Sequence, residues 1–567
     1  MELKNMIYFI IFIINIINFT ESFADVLIQP IEPYSAEIDI KKIKKLDGLN
    51  ISVAKNEFES ASFYLKNNSE TPVTVSIEAT GLINDKAEVI DAGAIDIKYL
   101  IEWYQSNGAW KTHRQTKENK FEPFLVRELL VKNPDLIRVD RERKINSVLI
   151  GKEKKKYFEI RKDVPKTKNP IEVSLEKFYI TDSSMIKPIK LNGNQVVQVW
   201  LTFKPFKDVQ AGTYKGKIII KERLNVINSH NLRLEIHDFE LDEAHLTYSI
   251  YYRGHLSKQG SISSEAKSEE QLRAEFLNMQ EHGVSSPSVY QRIMGKTGKI
   301  SEKEVHHLFE RYMQIRHESG ISNKTIYYLG LQTGAQKNKK EIDGLNYGLF
   351  RLKRMLKKFG ATDVYIYGKE EVKGRELTRQ IPLWVDTKAK GYKVFVAGYK
   401  GFFERIKNMA DLLIYYGKID PYASDEAHRH NTKIFSYNNP QVGIENPSVY
   451  RKNYGFVLIA AGFDGVMDYA YQHAMGFIWN DFDNKVYRDS VFAYPTANGV
   501  IDTLAWEAFR EAVDDARYYS TALNKLKKKQ GEGSEKMLRK WLRSQCSISQ
   551  CNSEYIRNQL IRMIEEN

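Results

Sequence analysis

Two adjacent carboxylates, Glu370 and Glu371, follow a short apolar run in the middle of the chain. Residues 364–367 alternate β-branched and aromatic side chains and are followed by Gly368, a pattern typical of a buried strand that runs into a loop. In sheets of parallel strands, side chains just beyond the carboxyl end of a strand face the active-site crevice. Two carboxylates in such a place could carry general acid–base chemistry, as in the cleavage of a glycosidic bond.

The adjacency of these two residues constrains their geometry. Successive side chains of a strand point to opposite faces, so Glu370 and Glu371 can serve one site only where the strand has ended and the backbone turns. We expect Gly368 to permit that turn. The alternative interpretation is an exposed Lys-Glu-Glu turn without a catalytic role.

Repeated βα units are predicted from residue 246 onward. Strand-like runs alternate there with amphipathic helical patterns, and eight strands in roughly 280 residues match a (β/α)8 TIM barrel. No Gly-rich turn of the dinucleotide-binding type accompanies them, which disfavours the competing doubly wound sheet. The predicted strands are 247–252, 284–290, 325–329, 363–367, 393–397, 412–416, 433–437 and 465–469, and the predicted helices include 269–281, 302–318, 348–358, 376–390 and 447–461.

Short strands separated by Asn-, Gly- and Pro-containing links predict a β-sandwich before the barrel, with a hairpin or loop insert at 136–188. After residue 524, a Lys-rich linker leads into a helical tail that holds the two cysteines of the chain, Cys546 and Cys551, either as a local disulfide or as free thiols. The predicted fold class is therefore multidomain α and β. Its predicted parts are a signal peptide at 1–24, a β-sandwich at 25–245, a (β/α)8 barrel at 246–524 and a short helical C-terminal tail at 525–567.

The N-terminus has the composition of a secretory signal peptide. Lys4 precedes an apolar run at 6–19, and small residues close the segment at 22–24. The run carries two Asn residues and is shorter than the roughly 20 apolar residues of a spanning helix. We predict a secreted or periplasmic protein with no membrane span after cleavage; an uncleaved anchor is the alternative.

The net charge of +13 is spread along the chain rather than concentrated. Lys and Arg are interleaved with Asp and Glu, and no basic run exceeds three residues. This distribution favours a solvated basic surface over a site for nucleic acid or another polyanion.

Tyrosines recur at the carboxyl ends of the predicted strands. Their flat amphipathic rings suit stacking on sugars, although packing against the helix layer is the alternative for any single Tyr. No HExxH motif and no GxSxG elbow are present, so no metal or organic cofactor is expected. The candidate substrate-binding residues are Tyr367, Tyr437, Asn438, Trp479 and Asp481.

Several longer segments resemble glycoside hydrolase family 123 and the related domain of unknown function 4091. AKNEFESASF (54–63) and QVWLTFKPFKDVQAGTYKGKI (198–218) are similar to the family's β-sandwich. IFSYNNPQVGIENPSVYRKNYG (434–455), IWNDFDNKVYRD (478–489) and YPTANGVIDTLAWEAFREAVDDARY (494–518) are similar to the last strands and last helix of its barrel. The resemblance covers most of the chain after the signal peptide.

The resemblance implies an exo-acting β-N-acetylgalactosaminidase, in which a neighbouring Asp–Glu pair works with the substrate's own 2-acetamido group as nucleophile. On this pattern Glu371 is the general acid/base. Glu370 stands where the family has Asp, the group that orients the acetamido nitrogen. The extra methylene matters, since misplacing a catalytic group by ~1 Å can cost ~100-fold in rate. Either the site has compensated, or the sugar lacks an acetamido group, or activity is lost.

We therefore predict a secreted glycoside hydrolase whose partner is a carbohydrate substrate and not a nucleic acid. A GalNAc-type β-N-acetylhexosaminide is the substrate that the resemblance implies. The alternatives are a carbohydrate-binding protein without catalysis and a hydrolase for an acidic polysaccharide that lacks the acetamido group.

Overall fold

The computed structural model describes residues 25–35, 37, 39–106, 123–160, 169–206, 208–295, 301–484 and 488–566. Within these ranges the protein is a mixed α and β structure, with antiparallel sheets first and a parallel sheet flanked by helices afterwards. The predicted fold class is confirmed at this level. The predicted signal peptide at 1–24 lies outside the described residues.

Several strands before residue 247, such as Leu49–Val53 and Val73–Ala79, alternate buried with more exposed side chains, as expected for sheets with one solvated face. The strands of this region are β1 (Val26–Ile31), β2 (Leu49–Val53), β3 (Glu59–Asn67), β4 (Val73–Ala79), β5 (Leu82–Asn84), β6 (Val89–Ile90), β7 (Ile95–Ser106), β8 (Pro123–Val131), β9 (Ile137–Asp140), β10 (Ile145–Ile150), β11 (Lys156–Ile160), β12 (Ile189–Leu191), β13 (Val196–Phe203), β14 (Gly212–Glu222) and β15 (Asn225–Ile236).

These strands form two larger sheets and one small one. The first has the order β1-β3-β13-β7-β8; the second has the order β12-β4-β14-β15-β2 and also pairs with β5 and β6. Neighbours are antiparallel except β15 and β2, which are parallel. Phe63 and Leu201 of the first sheet share one buried core with Ile218 and Leu234 of the second. The predicted insert supplies the small sheet β11-β10-β9.

The strands after residue 246 include β16 (Thr247–Ile250), β17 (His255–Leu256), β18 (Ala266–Lys267), β19 (Thr325–Thr333), β20 (Asp363–Gly368), β21 (Lys393–Tyr399), β22 (Leu412–Tyr416), β23 (Lys433–Tyr437), β24 (Gly465–Asp468), β25 (Gln472–His473), β26 (Ser490–Val491), β27 (Ala493–Pro495) and β28 (Val500–Asp502). A parallel sheet with the order β16-β24-β23-β22-β21-β20-β19 is built from seven of them. All seven correspond to predicted strands, and β22 and β23 have the predicted bounds.

The eighth predicted strand, 284–290, is not a regular strand among the described residues. Its backbone nevertheless connects the two edges of the parallel sheet. Ser285 and Ser288 donate their N–H groups to Tyr248 and Ile250, and Val289 exchanges backbone hydrogen bonds with β19 at 2.8 and 2.9 Å. The parallel layer is therefore continuous from β16 through this segment to β19.

Helices cover the outside of this layer. The helices of the described residues are α1 (Glu269–Glu281), α2 (Glu302–Glu318), α3 (Lys339–Lys357), α4 (Gly374–Thr378), α5 (Ile381–Ala389), α6 (Phe402–Ile406), α7 (Pro421–Arg429), α8 (Pro447–Lys452), α9 (Leu458–Ala461), α10 (Leu504–Gln530), α11 (Gly533–Gln545) and α12 (Ser553–Glu565), with a π-helical turn at Asn453–Val457. The 3-10 turns at Ile40–Lys42, Ala92–Ala94 and Pro134–Leu136 belong to the N-terminal sheets.

Alternation along the strands separates an inner cluster from an outer one. Tyr365 and Tyr367 of β20 belong to an inner cluster with Phe395 and Phe435, whereas Ile366 belongs to the larger cluster shared with the helices. Because side chains of a strand alternate between faces, Tyr365 and Tyr367 point to the inside of the layer and Ile366 points toward the helices. Tyr367 of this inner cluster lies near the carboxyl end of β20, three residues before Glu370.

Ion pairs connect the C-terminal region to the rest of the chain. Helix α10 continues to Gln530, through the start of the segment that we predicted as a linker. Arg557 of α12 is buried and forms ion pairs with Glu57, Glu59, Glu511 and Asp515. Cys546 and Cys551 form a disulfide.

Among the residues that the structure describes, no helix has the length and apolar character needed to cross a membrane.

Candidate active site

The carboxylate pair lies directly after β20, as predicted, but the turn is made by a different residue. Glu371 itself adopts a left-handed backbone conformation with φ of 56°, and its N–H donates to the carbonyl of Ala397 on β21 at 3.1 Å. Gly368 does not have positive φ; a Cβ there would meet Val396 and Trp384 at 3.0 and 3.1 Å. Gly368 thus allows close packing against Val396 and Trp384, and our assignment of the turn to it is wrong.

Two tyrosines linked through their hydroxyl groups hold the Glu370 carboxylate in place. The Tyr367 hydroxyl donates to Oε2 of Glu370 at 2.5 Å, and the hydroxyls of Tyr367 and Tyr251 are 3.0 Å apart. Tyr251 and Tyr367 are buried members of the inner cluster. A charged acceptor strengthens such a hydrogen bond, so the position of the Glu370 carboxylate is well defined.

Glu371 lies on the side of the site away from Tyr367, near the end of β21. The side chain is exposed, but desolvation by neighbouring groups raises the pKa of its carboxyl above the ordinary value, and the charge of Glu370 raises it further. A hydrogen bond from Tyr399 and the charge of Lys373 act in the opposite direction. Burial and Glu371 together raise the pKa of Tyr399 to about 12, so this tyrosine remains a hydrogen-bond donor at neutral pH. A carboxyl with a raised pKa next to a second carboxylate is the arrangement expected of a general acid.

More tyrosines surround the pair. The Tyr251 ring lies 6.1 Å from that of Tyr437 and 5.3 Å from that of Tyr469. Burial raises the pKa of Tyr437, with further contributions from the charge of Glu371. Tyr367 and Tyr437, two of the predicted binding residues, therefore lie at the site.

Asn438, another predicted binding residue, has a left-handed backbone with φ of 60°. Its N–H donates to Oδ1 of Asp468 at 3.0 Å, which ties the end of β23 to β24. Burial raises the pKa of Asp468 to about 7. Non-glycine residues in this backbone region concentrate at functional sites, and here two of them, Glu371 and Asn438, follow strands of the same sheet.

Trp479 and Asp481 are not brought to the carboxylate pair, and their interpretation as sugar contacts finds no support in the structure. Trp479 is 1% exposed and packs in the core of the N-terminal sheets against Trp103 and Tyr494. Both carboxylate oxygens of Asp481 accept backbone N–H groups, from Ser106 at 3.0 Å and from Asp489 at 2.7 Å. The segment after β25 folds back onto the N-terminal sheets, which the spacing of its motif does not reveal.

Arg253 also lies on this face, although it is not among the predicted binding residues. It follows β16, donates to Glu265 at 2.8 Å and to the Tyr469 hydroxyl at 3.2 Å, and lies over the ring of Tyr290. The sequence feature that could have identified Arg253 is its position directly after a strand. The same signal indicates Tyr399, which interacts with Glu371, and Tyr251, which contacts Glu370 only through Tyr367.

One group among the described residues has metal-ligating side chains close together, and it lies apart from the carboxylate pair. His282, Asp502 and Glu507 are buried there with ligand atoms within 4.8 Å of one another. Lys98 pairs with Asp502 at 2.9 Å and Arg510 pairs with Glu507. Because Lys98 and Arg510 already form ion pairs with these carboxylates, the group is better described as a buried ion-pair network than as a metal site.

The fold can be compared with solved structures. A family 123 glycoside hydrolase from Clostridium perfringens aligns with 96% of this chain and 99% of its own, with a TM-score of 0.62 and 12% identity. This chain has the fold of a family 123 glycoside hydrolase. The resemblance that the sequence motifs suggested is thereby confirmed for the fold.

Two further solved structures align with this chain at lower TM-scores. A GH2 β-galacturonidase from Eisenbergiella tayi aligns with 87% of this chain and 97% of its own at a TM-score of 0.31 and 9% identity. A β-galactosidase from Marinomonas ef1 aligns with 52% and 62% at a TM-score of 0.32 and 9% identity. No family model and no curated protein matches the chain.

Proposed function

We propose that the protein is a secreted glycoside hydrolase that cleaves β-N-acetylhexosaminides by substrate-assisted, retaining catalysis. The observation that carries the proposal is the state of the carboxylate pair: Glu371 has a raised pKa, and Glu370 beside it is held by Tyr367. In this mechanism one carboxyl donates a proton, and the other must remain an acceptor. A carboxyl with a raised pKa next to a carboxylate that a hydrogen-bond donor holds in place suits an acid beside an acceptor.

The proposed architecture is a β-sandwich followed by a (β/α)8 barrel. Two antiparallel sheets that share one core support the sandwich, and the continuity of the parallel layer through 284–290 supports the barrel. Active sites of such barrels lie at the carboxyl ends of the strands, where Glu370 and Glu371 are found.

Glu371 is assigned as the acid that protonates the leaving oxygen and later as the base that activates water. A raised pKa keeps it protonated closer to neutral pH than an ordinary Glu, which favours the first step. Once the leaving group has departed, the ionised Glu371 is positioned to accept a proton from water. This exchange of roles needs no other titrating group.

Glu370 is assigned to orient the sugar's 2-acetamido group. Its Oε2 accepts from Tyr367, and Oε1 makes no hydrogen bond with the described residues, so Oε1 is available to accept the acetamido N–H. The hydrogen bond to Tyr367 also gives a physical account of the longer side chain. The extra methylene extends the carboxylate to a donor in the inner cluster, and that donor fixes its position.

The substrate class rests on the fold and on the aromatic face. The solved C. perfringens enzyme is described in terms of glycolipid glycan hydrolysis. Several tyrosines border the pair in this chain, and such rings suit the apolar faces of sugars. Secretion is proposed from the sequence of residues 1–24 alone.

The test is hydrolysis of aryl β-glycosides of GalNAc, GlcNAc, galactose and glucuronic acid by the mature protein and by Glu371→Gln. Each sugar is offered with a nitrophenyl and with a dinitrophenyl leaving group. Loss of an acid should impair the less acidic nitrophenol far more, since dinitrophenolate leaves without protonation. Glu376→Gln, a nearby exposed carboxylate paired with Lys369, is the matched control.

Three results are informative. Hydrolysis of an N-acetyl sugar that depends on Glu371 in this pattern supports the whole scheme. Hydrolysis of only galactose or glucuronic acid retains the hydrolase and rejects the role of the acetamido group. Binding of glycans without turnover of any of these substrates rejects catalysis and favours a carbohydrate-binding protein.

A further inference from the structure

The carboxylate pair gives the site two distinguishable sides. Glu370 contacts Tyr367, which is linked to Tyr251 deep in the inner cluster. Glu371 interacts with Tyr399 at the end of β21. Because a general acid must reach the leaving oxygen, the leaving group lies on the side of Glu371 and Tyr399.

An aromatic surface continues along that side. The Tyr399 ring is 5.2 Å from the ring of Tyr416, which is in turn 5.9 Å from that of Tyr437. Tyr416 is 37% exposed, so part of this surface is open to a ligand. These three tyrosines end β21, β22 and β23 and therefore form one row along the carboxyl edge of the sheet.

Lys373 places a cation on the same surface. Its Nζ lies 4.3 Å from the centroid of the Tyr399 ring. Within the described structure it has no carboxylate as an ion-pair partner, whereas Lys369, four residues earlier in the same loop, pairs with Glu376. An ammonium group held over an aromatic ring and left unpaired next to Glu371 can bind an anion of the substrate.

We propose that Tyr399, Tyr416 and Lys373 form a subsite for a leaving-group sugar that carries an anionic substituent, a carboxylate or a sulfate. The inference rests on the proposed function, since it takes Glu371 as the acid. The rings provide a face for the sugar, and the ammonium provides a charge that an uncharged sugar does not use. The subsite thus selects the leaving group rather than the sugar whose bond is cleaved.

The expected size of the effect follows from exposure. Ion pairs at a solvated surface contribute up to about 1 kcal/mol, which corresponds to about a fivefold preference for the anionic substrate. Salt screens such a pair, so the preference should fall markedly between about 0.02 and 0.5 M NaCl.

The test uses three disaccharides with β-linked GalNAc at the non-reducing end and glucuronic acid, 6-sulfated galactose or galactose at the reducing end. Hydrolysis is measured as kcat/KM with the full-length mature protein, and binding is measured as Kd with the Glu371→Gln background. Each is repeated with Lys373→Met and with Lys357→Met, an exposed lysine on α3 that serves as control. Ratios of anionic to neutral substrate are compared, because a change in the protonation of Glu371 affects both substrates equally.

A preference for either anionic disaccharide that disappears in Lys373→Met and persists in Lys357→Met supports the subsite, and the two anions distinguish carboxylate from sulfate. Equal kcat/KM and equal Kd for all three disaccharides overturn the subsite while leaving the hydrolase intact. Preferential binding without hydrolysis overturns the proposed function and keeps the subsite. Absence of binding to all three disaccharides overturns both.

Discussion

Shortening Glu370 to Asp should reduce activity, although the resemblance to family 123 assigns Asp to this position. The Glu370 carboxylate accepts from the Tyr367 hydroxyl at 2.5 Å. Removing one methylene retracts the carboxylate by about 1.5 Å, which extends this contact to about 4 Å and breaks the hydrogen bond. The carboxylate then loses both its anchor and its position relative to the acetamido group.

The loss can be estimated from these distances. Displacement of a catalytic group by ~1 Å costs ~100-fold, or about 2.7 kcal/mol of transition-state stabilisation. Glu370→Asp is therefore expected to lower kcat/KM for an aryl N-acetylhexosaminide by about two orders of magnitude. Tyr367→Phe alone should lower it less, because the carboxylate keeps its length and can still reach the sugar.

A double-mutant cycle on kcat/KM tests this reasoning. If Tyr367 acts by holding Glu370, adding Tyr367→Phe to Glu370→Asp should cost almost nothing, and the two changes should be strongly non-additive. Glu370→Gln, which keeps the length and removes the charge, separates position from electrostatics. An increase in activity in Glu370→Asp, or fully multiplicative effects in the double variant, would refute the idea that Tyr367 compensates for the longer side chain.

Three further predictions concern pH and stability. The alkaline limb of kcat/KM should reflect deprotonation of Glu371 and move to higher pH in Tyr399→Phe, which removes a hydrogen bond that lowers the Glu371 pKa; a shift to lower pH would contradict the assignment. Asp468 has a folded-state pKa of about 7, above its unfolded value, so its contribution is complete below about pH 4 and lost as pH rises toward 7. Relative to Asp468→Asn, urea denaturation should therefore show the wild type losing up to about 4 kcal/mol across that window. Arg557→Met should lower the free energy of unfolding by about 3–5 kcal/mol, because buried carboxylates lose their partner; Arg562→Met, on the exposed side of α12, should change it little, and similar values for the two variants would argue against the ion-pair network.

Local sequence patterns predicted most of the parallel strands but fewer of the helix limits. The runs at 412–416 and 433–437 are apolar, short and bounded by polar residues, and both match β22 and β23. Helix α3 begins nine residues before its predicted start, because Gly344 and Gly348 obscure a pattern that Asn338 caps. The predicted helix 376–390 is divided, and Pro382 stands in the first turn of its second part.

The sequence predicts where the candidate site lies along the chain but not which side chains contact one another there. Glu370 and Glu371 could be chosen because they follow a strand, and Tyr437 and Asn438 for the same reason. Which tyrosine contacts which carboxylate depends on the register between strands far apart in sequence. Trp479 shows a different limit of the sequence. A motif similar to a family segment singles out this residue, but the motif does not show which hydrophobic core the residue packs in.

The left-handed backbone at Glu371 gives a geometric reason why two consecutive residues can face one site, as the proposed function requires. In an extended strand Glu370 and Glu371 would point to opposite faces, and one of them would be lost to the helix layer. The φ of 56° turns the chain at Glu371, and the hydrogen bond to Ala397 holds the turned peptide against β21. This conformation costs a non-glycine residue about 1–2 kcal/mol, so a glycine would be the more stable choice at a position with no other role. A Glu in this conformation, with a raised pKa and beside an anchored carboxylate, supports the proposal that Glu371 takes part in the chemistry.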